Sequence, residues 1–331
     1  MSQDNYRIIV IGDPHIKLDN FPEFKEFEIK LQELIDSFKP DFIVVLGDLL
    51  HYHEKIFTPC LNKAHKFLLS LSQKAKTFVL VGNHDMINNQ QFLSENHWMN
   101  PIKTLSENLT IVDKVVIYEN FIFTPYVFPG RFKEALETVE YNYRSANIIF
   151  AHQEFKGCKM GAIVSESGDE WDQTLPLVIS GHVHQNQWIG DNIFYTGSAL
   201  QHAFGESERN IIATIVFNNR EDIKIEEVDL NLPRKKIIST DIDKIGKLKL
   251  DSKTQDKIKI SIRGTVEEFK SFKTSLEYKK MVKDGIKIVF KQKTYDNEKV
   301  LDENFDNILK HLILNTKDDK LYKIYEKFIS V

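Results

Sequence analysis

At 331 residues, with 42% hydrophobic and 28% charged residues, the chain is long enough for one large and one small domain, and its composition excludes disordered and fibrous classes. No apolar run approaches the roughly 18 residues that a bilayer span needs, so a soluble protein with no membrane partner is expected. The net charge of -4 conceals an asymmetry: residues 234–331 carry 24 Lys+Arg against 16 Asp+Glu, and the remainder 20 against 32, which fits either a solvated Lys-rich surface or a basic module facing nucleic acid or an acidic partner.

The apolar run Ile8–Ile11 leads straight into Gly12-Asp13-Pro14-His15, with no basic leader and no small-residue cleavage site, so no secretion signal is expected. Cys60 and Cys158 are in no metal-type spacing, which points to a reducing compartment, cytoplasmic or nuclear. Richness in Lys, Ile, Asn and Phe hints at an AT-rich genome, such as that of a virus or phage, and hence at a virus-infected host cell.

Short apolar runs alternating with helical patterns predict strands of an α/β domain at Arg7–Ile11, Asp41–Leu46, Thr77–Val81, Ile148–Phe150 and Leu177–Ile179. Between the first two, Phe24, Phe27, Leu31, Leu34, Ile35 and Phe38 recur at helical spacing and stop before Pro40, which predicts a crossover helix. Leu61, Ala64, Phe67, Leu68 and Leu71, after Pro59, predict a second helix. From about Thr110 the pattern turns more β-rich, with further runs at Val115–Tyr118, Phe121–Thr124, Ile193–Thr196, Ile211–Phe217 and Ile223–Val228. The later runs are expected as antiparallel strands continuing or facing the first sheet. Asp229–Lys236 reads as a linker. Beyond it, Lys257–Ile262, a helix over Val266–Tyr278 and Gly285–Phe290 predict a small βαβ-like domain, followed by amphipathic helices at Phe305–Leu314 and Leu321–Ile329.

Polar donors follow the strands. Asp13 and His15 come after the first, Asp48 after the second, and Asn83, His84 and Asp85 after the third. His152 follows Ile148–Phe150, and His182 and His184 follow Leu177–Ile179. Open α/β sheets place their sites beyond strand carboxyl ends, so the donors are expected to converge there. Gly12, Gly47, Gly82 and Gly181 each precede a donor, and a sharp backbone turn that aims a ligand explains their placement. Carboxylate, carboxamide and imidazole without thiolate suit Mn²⁺, Fe²⁺ or Zn²⁺. Seven donors exceed one tetrahedral ion. Two ions sharing Asp48 use them all and can activate a water and clamp a phosphoryl group.

The ordered set Asp-x-His, Gly-Asp, Gly-Asn-His-Asp, His and Gly-His-x-His resembles the calcineurin-like metallophosphoesterase superfamily over residues 7–230. The resemblance implies an α/β fold: a metallophosphoesterase β-sandwich flanked by helices (1–232), a small α/β cap domain (233–300) and a C-terminal helix–loop–helix (301–331). It implies that Asp13, His15 and His184 hold one ion and Asn83, His152 and His182 a second, with Asp48 bridging and His84 a non-ligand beside them that stabilises the transition state or protonates the leaving oxygen.

Gly47-Asp48-Leu49-Leu50-His51 resembles the Gly-Asp-Leu-Phe-His of SbcD-type (Mre-type) double-strand-break nucleases, in which that histidine affects exonuclease activity. Gly197-Ser198 and Phe204-Gly205-Glu206 resemble their Gly-Ser and Phe-Gly-Glu segments. Lys17 departs from the glycine of many members. The resemblance implies a Mn²⁺-dependent exonuclease and single-strand endonuclease acting on DNA, with His84 and His51 catalytic. It also implies a homodimer partnered by a coiled-coil SMC-like ATPase that docks on the tail.

His53 and His202 lie near these motifs and could touch substrate, whereas His65, His97 and His311 read as structural. Leu93, Trp98 and Met99 could form a dimer face, though core packing explains them as well. The rival functions are a metallophosphatase, which shares every ligand, and a scaffold of the same fold, which needs none.

Overall fold

The computed structural model describes residues 5–53, 55–248 and 255–293, with Ile313, Lys320, Leu321 and Tyr325. Those four positions aside, the helix–loop–helix expected over 301–331 lies outside the described residues. In chain order, β1 (Tyr6–Ile11), α1 (Phe21–Phe38), β2 (Phe42–Val45), α2 (Thr58–Ser72), β3 (Lys76–Leu80) and β4 (Leu109–Val112) come first. Next are β5 (Val116–Tyr118), β6 (Phe121–Thr124), α3 (Phe132–Leu136), β7 (Ile149–His152) and the short pair β8 (Lys159–Met160) and β9 (Ile163–Val164). They are followed by β10 (Val178–Gly181), β11 (Gln187–Ile189), β12 (Ile193–Tyr195), β13 (Ile212–Asn219) and β14 (Asp222–Val228).

The first sheet runs β14-β13-β1-β2-β3-β4 and the second β11-β12-β10-β7-β6-β5. The reason for a sandwich is visible in β1: Ile8 and Val10 enter the core between the sheets, while Ile9 and Ile11 enter a second core against the helices. Successive strand residues point to opposite faces, so a strand covered on both sides must be apolar throughout. On the helical side, Phe24, Phe27, Leu31 and Ile35 of α1 are buried with Ala64, Phe67, Leu68 and Leu71 of α2. The α1 helix stops where Lys39 turns left-handed (φ 52°) and its N–H bonds Ile35 O, just ahead of Pro40. Between the sheets the aromatics stack, with Phe123 4.0 Å from Phe78 and 5.3 Å from Phe150 between ring centroids.

Three expectations change. The strands β13 and β14 do continue the first sheet antiparallel. The second sheet faces the first, but β6 and β12, expected antiparallel, run parallel to β7 and β10; the long connections between them allow crossovers, which apolar content alone does not distinguish from hairpins. The helix expected over Val266–Tyr278 is two helices, because Ser275 is extended (ψ 153°) and its hydroxyl accepts from the Tyr278 N–H to start a new one. Finally, the expected linker 229–236 is held in place: Leu232 is buried, and Arg234 grips both carboxylate oxygens of Asp229.

The described residues form two compact units. One holds the two sheets. In the other, α4 (Val266–Thr274) and α5 (Leu276–Lys283) bury Phe272 and Met281. The strands β15 (Lys235–Asp241), β16 (Lys257–Gly264) and β17 (Lys287–Gln292) form a three-stranded sheet in that order.

A buried ion pair fastens the long segment between β3 and β4. His97 Nε2 lies 3.1 Å from Asp113 Oδ2, and Lys103 pairs with the same carboxylate. Burial would raise the Asp113 pKa, but the His97 hydrogen bond and the Lys103 ammonium outweigh it and hold the carboxyl below its usual range. A depressed folded-state pKa stabilises above the unfolded value of about 4 and is lost as pH falls through the lower folded value. Asp113→Asn is therefore expected to cost about 1–3 kcal/mol at pH 7, with the gap to wild type closing below about pH 4, as followed by urea unfolding across pH.

Candidate metal centre

The parallel strands of both sheets end at one place. The loops after β1, β2 and β3 carry Asp13 and His15, Asp48, and Asn83 and His84; β7 ends on His152, and β10 leads into His182 and His184. All nine residues singled out in the sequence, His51 included, are brought together here. The second sheet meets the first through side chains and backbone: His182 N–H donates to Asp13 Oδ1 at 2.9 Å, and His152 Nδ1 donates to Leu46 O at 2.7 Å.

The glycines serve differently from expectation. Only Gly47 has a left-handed backbone (φ 109°). A Cβ on Gly12 would lie 2.0 Å from Gly197 O, and one on Gly82 would lie 2.2 Å from Asp48 Oδ1, so these two are glycine for lack of space. The left-handed turns fall on the donors themselves: Asp13 (φ 38°), His15 (φ 43°), Asp48 (φ 49°) and His182 (φ 77°). Non-glycine residues held there cost of order 1–3 kcal/mol each and cluster at functional sites.

Around Asp48 the donor atoms fall into overlapping groups whose members all lie within 4.8 Å of one another: His15, Asp48 and His84; Asp48, His152 and His182; and His15, His184 and His202. His15 Nε2 is 3.0 Å from His184 Nε2 and 3.5 Å from Asp48 Oδ2. Asn83 Oδ1 faces His152 Nε2 at 3.0 Å and His182 Nδ1 at 2.9 Å. With His152 Nδ1 donating to Leu46, its Nε2 presents a lone pair toward that oxygen unless it is protonated.

The charges explain what such a cluster requires. Burial drives the His15 imidazole well below its usual range, and brings His182 and His202 down to about 3, so these rings are neutral with lone pairs free for a cation. Burial would raise Asp48, yet the His152 charge beside it outweighs burial and holds the carboxyl well below the usual range. His152 is pushed up to about 9, the Asp48 attraction overcoming its burial. Buried Asp13 Oδ2 has no hydrogen-bond partner. Converging lone pairs, an unpaired buried carboxylate oxygen and a ring forced toward the cationic form are what a donor set for positive ions looks like. The residues fit divalent metal ions.

His84 differs from the donors in its tethering. Its backbone N–H donates to Asp48 Oδ1 at 2.8 Å and its Nδ1 donates to His51 O at 2.7 Å, leaving Nε2 as the nitrogen it can offer. His51 Nδ1 lies 3.4 Å from His15 Nδ1. Of the two nearby histidines, His202 packs against His15 at 4.7 Å and bonds Asp13 O, while His53 stacks on His84 at 4.1 Å. Met99 is buried in the core, and Trp98 is bonded to Asp85.

Supporting roles escaped the sequence reading, which listed Asp85 only as one more strand-end donor. Asp85 accepts hydrogen bonds from the N–H groups of Gly82 (3.1 Å), Leu49 and Leu50 (3.3 Å each) and from Trp98 Nε1 (2.8 Å). It thereby ties the Asp48 loop to the Asn83–His84 loop. Its place beside His84 was a signal; its partners are not. Behind His152, Gln153 Nε2 donates to Asp169 Oδ2 at 2.7 Å, and Tyr195 O–H donates to Gln153 O at 2.9 Å. No motif marks these residues. Asp85→Ala, which leaves four buried donors without an acceptor, is expected to cost about 3–5 kcal/mol and to lower bound metal; chemical unfolding and elemental analysis check both.

A family model for calcineurin-like phosphoesterases matches residues 6–186. "Putative phosphoesterase 078R" of Invertebrate iridescent virus 3 is 40% identical over 341 aligned residues, covering 99% of this chain and 98% of that protein. "Putative phosphoesterase 244L" of Invertebrate iridescent virus 6 is 46% identical over 279, covering 82% and 98%. Among solved structures, GAP50, the anchor in the inner membrane complex of Plasmodium, superposes with a TM-score of 0.46 at 14% identity, covering 69% of this chain and 85% of that one. Among the described residues no helix is long and apolar enough to cross a membrane. With the donor-bearing strands inside the matched span and viral relatives aligned over nearly their whole length, the chain belongs to the calcineurin-like phosphoesterase family.

Proposed function

We propose that this phosphoesterase is a two-metal nuclease that cuts DNA in the manner of SbcD-type enzymes. The observation that carries the reading is the placement of the segment whose sequence resembles theirs. Ser198 N–H donates to His184 O at 3.2 Å and Ala199 N–H to Gly12 O at 2.7 Å. Glu206 accepts from the backbone of His202 and Ala203 and lies 3.6 Å from His184 Nδ1. Ser198 and Glu206 of those stretches therefore stand against the metal centre, and His51, the other nuclease-like residue, lies beside His15. The same reading gives the chain a coiled-coil SMC-like ATPase and a second copy of itself as partners.

In this assignment Asp13, His15 and His184 would hold one ion and Asn83, His152 and His182 the other, with Asp48 available to both and Mn²⁺ the proposed metal. Paired divalent ions, when bound, neutralise the phosphoryl oxygens and supply an activated water. The chain's residues do the rest. Glu206 orients the His184 ring, and Leu46 O sets the tautomer of His152 so that Nε2 faces the centre. His51 O fixes the His84 ring by its Nδ1–H. The protonated Nε2 of His84 then donates to the oxygen leaving phosphorus.

Linear DNA is expected to be degraded by the purified protein with Mn²⁺, and Asp48→Ala or a chelator to abolish this by dispersing the ions. Intact DNA alongside turnover of phosphomonoesters would instead mark a phosphatase. His84→Ala is expected to slow turnover about 10²- to 10⁴-fold with metal content at the wild-type level, measured by single-turnover kinetics and elemental analysis; loss of the ions would make His84 a ligand.

A further inference from the structure

The acid marks the side on which the leaving group departs. His84 is flanked there by His53, stacked on it at 4.1 Å between centroids with an interplanar angle of 27°. From His53 two grooves open. One, of about 710 Å³, is lined by His53, Ile56, Ile87, Trp98, Asn96 and Asn100 among others, with the carboxylates of Asp85 and Glu95 included in the wall. The other, of about 680 Å³, is lined by Tyr52, His53, Lys55, Ile87 and Asn88 among others. Both include His53 and Ile87, so they meet beside the acid.

The lining is unusual for a surface. Tyr52 is 47% exposed, Ile56 47% and Ile87 53%, and Phe57, packed against Tyr52 outside the grooves, 38%, an apolar and aromatic patch beside a polar site. The rings form a chain: His51 lies 4.9 Å from Tyr52, and Tyr52 5.4 Å from Phe57. Asn88, Asn96 and Asn100 offer amide donors and acceptors, and Lys55 a single cation. A row of phosphates would call for several cations. The bases of a single strand, whose one phosphate per nucleotide can turn out to solvent, suit this surface, because every base presents a π-face to an aromatic or apolar platform regardless of sequence.

We infer that Tyr52, Ile87 and the rings beside them form a base-stacking platform for the single-stranded nucleic acid on the leaving side of the scissile phosphate. The inference rests on the nuclease reading and adds where the released strand lies. Tyr52 and Ile87 bind the strand and do not act on phosphorus; their exposure means that substitution leaves the core intact.

The test uses the full chain with wild type, Tyr52→Ala, Tyr52→Phe and Ile87→Asp. The dissociation constant of a fluorescein-labelled oligothymidylate is measured by anisotropy in chelator, and KM for its cleavage is measured with Mn²⁺. Tyr52→Ala is expected to weaken binding and raise KM about 5- to 100-fold, the effect of losing one base–aromatic stack. Ile87→Asp should act in the same direction, and Tyr52→Phe, which keeps the ring, should restore wild-type values. Unchanged binding and KM in both Tyr52→Ala and Ile87→Asp would overturn the platform while leaving the nuclease reading in place. A wild-type protein that neither binds nor cuts the oligonucleotide would remove both.

Discussion

Asp13 and Asp48 are withdrawn from water at the meeting of two sheets, and much of the surrounding structure answers to that fact. An ionised carboxylate in such a place is strongly unfavourable unless charge or hydrogen bonds compensate it. Backbone N–H groups supply part of the compensation, from His182 to Asp13 and from His84 to Asp48. Imidazoles supply the rest of the shell, and burial keeps several of them neutral. Even with His152 pushed toward its cationic form, a shell of otherwise largely neutral rings does not balance two carboxylates. The remaining charge must come from cations, which links the fold of this region to its chemistry.

The sandwich makes the convergence possible. Two parallel-centred sheets stacked face to face bring their strand ends to one edge, so loops far apart in the chain face each other across a few ångströms. The aromatic interior of Phe42, Phe78, Phe123 and Phe150 keeps the sheets in register. Buried rings of this size tolerate little sliding, and a shift between sheets would part His152 from Leu46 and His182 from Asp13. The strained backbone at Asp13, His15, Asp48 and His182 is held by this rigid frame, as local strain must be.

A positioning layer stands between frame and ligands. Asp85 joins two loops of the first sheet, while Gln153, Asp169 and Tyr195 brace the turn after His152. These groups are polar and mostly buried, and their mutual hydrogen bonds offset the cost of their burial. They fix ring directions, which a metal centre requires as much as it requires ligands.

The amino-acid sequence by itself determined the strands, the two helices against the first sheet and the order of the donors, because periodicity and strand-end placement are local properties. Gly12 and Gly82 were legible as special positions, but their reason was not: it is the approach of Gly197 and Asp48, contacts with a distant strand end and a neighbouring loop. The direction of β6 and β12 was likewise hidden, since apolar runs read alike in parallel and antiparallel sheets. Ser275 ended a helix that periodicity carried through, because its hydroxyl caps the next one. Only the tertiary structure decided that Asp85 would clamp two ligand loops, that His202 would join the cluster and that Tyr52, His53 and Ile87 would share one surface. Each depends on which segments meet across the sandwich, and pairings between residues so far apart in the chain leave no periodic trace in it.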